Sequence, residues 1–256
     1  MDQEARTGRA PIVPCLEVRG GRTIEPSGIP GLSDPRDPVE ITETYRRQGA
    51  AAVILDIAYD GDEHGRLLRI LPRLAAAAPR LWVTFADGRA PSAAAAEAIL
   101  AAGAEAIGFG TTAVEDPPFV RELAARHGSE RILGTLDVRR AGPGRWDVVT
   151  HGGARSSGLD AVSWAGVLAG LGAGTLLPNS LDGEEAGAGY DLPLYRAIAG
   201  VVDLPLIASG GGARPEHLCE GLKQPNVRFA VVNKATHTGA MSIAQAHAYL
   251  RDRGLG

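Results

Sequence analysis

Cysteine is almost missing from these 256 residues, with only Cys15 and Cys219 present. Two thiols cannot build a disulfide framework, so a stapled secreted scaffold is excluded and a reduced, cytoplasmic setting is expected. Both are read as small buried apolar side chains. Lysine is equally scarce, at Lys223 and Lys234, against 24 arginines. No cluster of basic residues stands out and the formal net charge is −4. A nucleic-acid or anionic-membrane partner is therefore not expected. No apolar run approaches the roughly 20 residues that span a bilayer. The stretch Met1–Ala10 mixes acids and bases without an apolar core, so it does not read as a signal peptide. The six histidines show no metal-ligand spacing, and neither a metal nor another cofactor is expected.

What is present is a large apolar share, 45%, mostly Ala, Val, Leu and Ile. Short apolar runs at 12–18, 52–57, 81–85, 106–109, 132–138, 175–178, 204–208 and 229–233 show little alternation. Strands buried on both faces of a parallel sheet read this way. Helical patterns separate them, at 38–48, 65–77, 92–102, 117–127, 160–171, 192–201, 216–222 and 242–253. Several open on a start signal, such as Asp37-Pro38 and Asp116-Pro117. Eight strands alternating with eight helices predict a closed (β/α)8 TIM barrel over 1–256 as one domain, with an open doubly wound sheet as the alternative. Long loops follow the first strand (19–37) and the fifth (139–158). Within the second, the run Arg145-Trp146-Asp147-Val148-Val149-Thr150 could add a small hairpin.

The chain also resembles itself. Leu16-Glu17-Val18-Arg19 matches Leu136-Asp137-Val138-Arg139, and Asp60-Gly61-Asp62-Glu63 matches Asp182-Gly183-Glu184-Glu185. Ala86-Asp87-Gly88-Arg89-Ala90-Pro91 matches Gly210-Gly211-Gly212-Ala213-Arg214-Pro215. Each pair holds the same station in its half. The steady offset predicts two (βα)4 half-barrels, about 11–128 and 129–253. Glu17 and Asp137 then face each other across the mouth, where opposed carboxylates serve as general acid and base. The alternative is that both close ion pairs near the barrel top.

These residues, together with Asp37-Pro38-Val39-Glu40, Thr150-His151-Gly152-Gly153, Gly189-Tyr190-Asp191-Leu192 and Ile207-Ala208-Ser209-Gly210-Gly211, resemble the cyclase subunit of imidazole glycerol phosphate synthase. The resemblance covers nearly the whole chain. It implies a substrate with a phosphate at each end, two catalytic aspartates at the ends of strands 1 and 5, and ammonia delivered through the barrel. Glu17 and Asp137 hold the catalytic places. A Glu adds one methylene, which moves the carboxylate by about 1.5 Å. The loop after strand 6 carries a D-x-D-G-T run in that family. Here Asp182 takes a substrate-binding place and Glu184 a catalytic one, while Glu185 replaces the Gly and is expected to set negative charge beside the phosphate. Glu25 replaces a first-loop lysine.

The resemblance also implies two phosphate cradles. Ser209-Gly210-Gly211-Gly212-Ala213 keeps the one in the second half, where bare amides can approach an anion. In the first half Ala86-Asp87-Gly88-Arg89 replaces a Gly triplet, with Asp87 expected to repel phosphate. Thr111 is retained, and Arg89 could serve a carboxylate. Four charges that gate the ammonia channel are replaced by Pro11, Ala51, Ala106 and Thr175, so a glutaminase partner is not expected. Lys234 ends strand 8. As one of two lysines it is read as a phosphate contact, a structural ion pair or a Schiff-base nucleophile. His237 is read as structural, and Asp56 as packing or pairing near the mouth.

The leading expectation is a stand-alone enzyme diverged from the cyclase, a monomer or homodimer. It would do acid–base chemistry (ring closure, isomerisation, or C–N or C–C cleavage) on a small phosphorylated, sugar-like substrate in biosynthesis. The alternatives are the cyclase itself and a non-catalytic ligand-binding barrel.

Overall fold

The computed structural model describes residues 11–58, 64–89 and 92–255, the side chain of His64 excepted. The Asp60–Glu63 part of the internal match, and Ala90-Pro91, lie outside the described residues.

Eight parallel strands close on themselves. They are β1 (Ile12–Arg19), β3 (Val53–Ile57), β4 (Leu81–Phe85), β5 (Ala106–Phe109), β6 (Ile132–Gly142), β9 (Thr175–Ser180), β10 (Leu206–Ala208) and β11 (Val227–Val232). Neighbours pair in that order, β11 pairs β1, and β5 pairs β6, so no parallel edge is left open. The fold is the closed (β/α)8 barrel, and the open-sheet alternative is set aside. Every strand is buried on both faces, which is why the runs read as apolar without alternation.

A helix covers each strand: α1 (Pro38–Arg47), α2 (His64–Ala77), α3 (Ala93–Ala101), α5 (Pro117–His127), α6 (Ala161–Gly170), α8 (Leu192–Ala199), α9 (Pro215–Leu222) and α11 (Ile243–Arg251). Short polar side chains fix where they begin. Asp37 accepts from the Val39 amide at 2.9 Å, Ser92 from Ala95 at 3.1 Å, and Asp160 from Ser163 at 2.9 Å. Such a cap is worth about 1 kcal/mol.

Strand residues divide into two cores. One set packs outward against the helices, with Leu16, Leu55, Val83 and Leu136 among its members. The other fills the barrel, with Val13, Ile54, Trp82, Leu133, Ile207 and Val231. Trp82 meets Phe229 edge-on at 5.3 Å between ring centroids, and the Arg80 guanidinium lies 5.1 and 4.8 Å from those rings. The interior at the N-terminal ends of the strands is thus packed with apolar and aromatic side chains, closed off by the Arg80–Glu105 ion pair at 3.8 Å.

Three features depart from the sequence reading. Short helices α4 (Thr111–Glu115), α7 (Leu181–Ala186) and α10 (Lys234–His237) follow β5, β9 and β11 inside stretches expected to be loops. The loop after β1 contains a two-residue strand, β2 (Arg22–Thr23), paired back onto β1. The third is an antiparallel apron. β6 runs on to Gly142 and is joined by β7 (Arg145–Thr150), as the hairpin expected, but also by β8 (Arg155–Asp160). The Arg-Ser-Ser-Gly-Leu-Asp sequence of β8 is too polar to read as a strand, and the ladder with β7 forms it. Asp191 secures the apron, accepting from Trp146 Nε1 at 2.8 Å and Arg140 Nη2 at 2.6 Å. Among the described residues no helix is long and apolar enough to cross a membrane.

Candidate active site

Inward-facing residues alternate along each strand, so the last inward position of each strand borders the mouth. In β5 that position is Gly108, and in the other seven it is Glu17, Asp56, Thr84, Asp137, Asn179, Ser209 and Asn233. They form three hydrogen-bonded groups. Asn233 Nδ2 donates to Glu17 at 2.7 Å, and Thr84 Oγ1 donates to Asp56 at 2.6 Å. Asn179 Nδ2 donates to Asp137 at 3.0 Å and to Glu184 of α7 at 3.3 Å. Ser209 Oγ completes the third group by donating to Asn179 Oδ1 at 2.9 Å.

Four carboxylates therefore share one mouth, and every partner is a neutral amide or hydroxyl. Among the described residues no Lys, Arg or His lies within ion-pair distance of any of them. Burial pushes the Asp56 carboxyl up to about 7, against the opposing Thr84 hydrogen bond, with Asp137, Glu17 and Glu184 raising it further. Burial raises Asp137 to about 6, opposed by Asn179 and helped by Glu184. Two interacting acids in one cavity, one mostly ionised and one half-protonated at neutral pH, can divide the roles of base and acid.

Asp56 is the candidate site residue that sequence reasoning missed, having been read only as packing or pairing. Its signal was available. Asp56 ends the inward series of Val53–Ile57 and stands beside Glu17 in the parallel register of β1 and β3.

The charged mouth works against folding. In both aspartates the folded pKa lies above the unfolded value, so the folded state holds more protons between about pH 4 and 7, and stability falls as pH rises through that window. Asp56→Asn keeps an acceptor for Thr84 and removes the charge. Thermal melting should rise by roughly 2–4 °C at pH 8 and by clearly less at pH 5. An equal shift at both pH values would contradict the assignment.

The second-half loop is built for close backbone approach. Tyr195 Oη donates to the Ser209 carbonyl at 2.7 Å and accepts from its amide at 2.9 Å. Gly210 and Gly211 hold φ of 81° and 114°. The Gly211 and Gly212 amides donate to no acceptor among the described residues. They lie just before α9, whose first turn adds the positive end of its dipole. Lys234 opens α10 after the neighbouring strand. It is exposed and forms no ion pair among the described residues, so the ion-pair alternative for it is not met.

The model of the histidine biosynthesis protein family matches residues 11–242. The chain belongs to this family.

Histidine biosynthesis proteins of this barrel type are isomerases and cyclases. In this member of the family the mouth gathers Glu17, Asp137 and Glu184, with Ser209 at its border. The other expected residues lie apart from that group. Both oxygens of Asp182 are used by Arg139, at 3.3 Å, and by the Arg140 amide, at 2.7 Å. Glu185 is held by Arg139 at 2.6 Å, so the negative charge expected beside a phosphate is offset by a guanidinium. In the first half, the Thr111 hydroxyl donates to the Asp87 carbonyl and accepts from the His151 amide at 2.8 Å. It ties loops together and has no proton left for a ligand. Arg89 lies 3.8 Å from Glu115, which also lies 3.4 Å from His151 Nε2. His237 is held through Nε2 by the Glu25 carbonyl at 3.0 Å. At the opposite end, Pro11, Ala51, Ala106 and Thr175 lie where the strands begin, and none carries a charge.

Proposed function

We propose that this protein is a stand-alone, cytoplasmic enzyme that carries out acid–base chemistry on a small phosphorylated, sugar-like substrate. The reaction is a cyclisation, an isomerisation or a C–N or C–C cleavage in biosynthesis. The observation that carries this reading is the split pair of acids in a half-buried mouth, with no cationic partner among the described residues, next to a loop whose Gly211 and Gly212 amides are free. Asp137 takes a proton from one side of the substrate. Glu17 delivers one from the other, and Asp56 beside it stores the exchangeable proton. Glu184 shares Asn179 with Asp137 and keeps that carboxylate's proton affinity high. Gly211, Gly212 and Lys234 hold the phosphate, with Ser209 and Gly210 shaping the loop around it.

Membership of a family of isomerases and cyclases supports the reaction class. The packed barrel interior, with Trp82 against Phe229 and no charge at Pro11, Ala51, Ala106 and Thr175, supports a protein that takes no ammonia from a glutaminase.

The test is turnover against a panel of phosphorylated pentose derivatives and their N-glycosylamines, run beside complementation of a histidine auxotroph lacking the cyclase. Turnover of a panel member without complementation is expected. Full complementation would show the family's own cyclase instead. Ligand binding without any turnover would point to a non-catalytic barrel.

A further inference from the structure

A buried histidine stands behind the second-half loop. His217 lies in the first turn of α9, is only 4% exposed, and its amide donates to the Arg214 carbonyl at 3.0 Å. Both ring nitrogens are engaged. Nε2 faces the Arg214 guanidinium, with Nε at 3.3 Å and Nη2 at 3.0 Å. Nδ1 faces the Gly211 carbonyl at 3.2 Å and the Ala213 amide at 3.3 Å. A guanidinium only donates, so Nε2 must accept. The ring proton then sits on Nδ1 and is donated to the Gly211 carbonyl. Arg214 is the N-cap residue of α9 but caps nothing with its side chain, which is directed at this ring instead.

The Gly211 carbonyl is thereby held by two donors, since the Gly189 amide also reaches it at 3.2 Å. In a planar trans peptide the N–H of the next residue points opposite to the carbonyl. No peptide bond among the described residues is cis. Holding the Gly211 carbonyl against His217 and Gly189 therefore turns the Gly212 amide away from both. The parts fit closely. A Cβ on Gly189 would lie 3.4 Å from His217 Cδ2, and one on Gly212 would lie 2.3 Å from the Tyr190 hydroxyl. Tyr190 is fixed in turn by donating to the Val231 carbonyl at 2.7 Å. The internal match agrees with this. The first-half residues matching Arg214 and His217 are Ala90 and Ala93, so the half that has lost its Gly triplet also lacks this pair of side chains.

We propose that His217 is a positioning residue for substrate binding, which fixes the Gly211 peptide so that the Gly212 amide is presented to the substrate's phosphate. It touches no reacting atom. The inference rests on the reading of this loop as the phosphate grip. An amide already aimed needs no reordering when the anion arrives, and an N–H bond to an anionic oxygen is stronger than one between neutral groups. Arg214 stands across the ring from Gly211 and keeps the donating tautomer in place.

Two substitutions separate this role from packing. An asparagine side chain sets its Nδ2 near the place of the histidine Nδ1, and a glutamine sets its Nε2 near the place of the histidine Nε2. His217→Asn thus keeps a donor for the Gly211 carbonyl and His217→Gln does not, while both lose the ring. Calorimetry with inorganic phosphate and with a pentitol 1-phosphate, at fixed pH and ionic strength, reads the difference. Both ligands should bind roughly tenfold or more weakly to His217→Gln and recover most of that affinity in His217→Asn. Thermal melting should fall by similar amounts in the two variants. Nitrogen-15 NMR of the wild type should find the His217 ring proton on Nδ1, and phosphate should shift the Gly212 amide resonance. Affinities that fall equally in both variants, in step with melting, overturn the positioning role. So does a ring proton on Nε2, an unmoved Gly212 resonance or wild-type affinity in His217→Gln. In each of those cases the phosphate grip still stands if Lys234→Gln weakens both ligands. Wild-type protein that binds neither ligand sinks the grip and the positioning role together.

Discussion

Asp137→Asn should lower kcat/KM by roughly 10²–10⁴-fold while leaving the fold intact or slightly steadier. The size is that of one general acid–base group. Asparagine keeps the shape of the side chain and an oxygen that accepts from Asn179 Nδ2, the bond now 3.0 Å long. What disappears is the proton-accepting charge in a position whose burial holds its pKa near 6. Melting at pH 8 should therefore stay level or rise, which separates lost chemistry from lost structure. The control is Asp182→Asn. That carboxylate is committed to Arg139 and the Arg140 amide, away from the mouth, so the change should cost activity little. If Asp182→Asn proves as damaging as Asp137→Asn, the roles assigned to the loop after β9 are wrong.

Gly211→Ala should abolish phosphate binding and destabilise the protein by about 3 kcal/mol or more, through backbone strain added to overpacking. The position fails on two counts. A Cβ there would lie 2.2 Å from the Gly189 carbonyl oxygen and 2.9 Å from that of Gly183, both backbone atoms with little freedom to move. The φ of 114° also disfavours any side chain. Gly166→Ala is the control, since a methyl group there meets open space in the middle of α6. Denaturant titration of both variants, followed by phosphate calorimetry, checks the pair. Near-native stability in Gly211→Ala would mean that the loop relaxes freely, and a rigid preformed cradle would then be untenable.

These glycines show why the sequence could be read only in part. The run Ser209-Gly210-Gly211-Gly212 advertises a place where side chains are unwelcome. It does not say that the space is taken by the Gly189 and Ser180 backbones and by the Tyr190 ring. The barrel itself was legible because strands buried on both faces leave long apolar runs. Glu17 and Asp137 were legible because they end such runs at matching stations. Asp56 ends one too, but its raised proton affinity comes first from burial and then from Asp137, Glu17 and Glu184, which approach from distant parts of the chain. Asp182 and Glu184 sit two residues apart in one motif. Only the helical turn of α7 decides that Glu184 faces Asn179 while Asp182 faces Arg139. The antiparallel β8 was invisible for a similar reason, since its partners rather than its composition make it a strand. The pairing of β2 with β1 needed the hairpin register, which Gly20-Gly21 permits but does not announce.

The central claim is that the mouth holds two coupled acids of raised and different proton affinity. Carbon-13 NMR titration of the aspartate carboxyl groups, in the wild type and in Asp137→Asn, reads this without any substrate. The account predicts two aspartates titrating as a pair near pH 6 and 7 in the wild type. It also predicts that the Asp56 titration moves to lower pH once the Asp137 charge is gone. Should every aspartate titrate near the ordinary value of about 4, with none moving in the variant, the acid–base mouth described above does not exist.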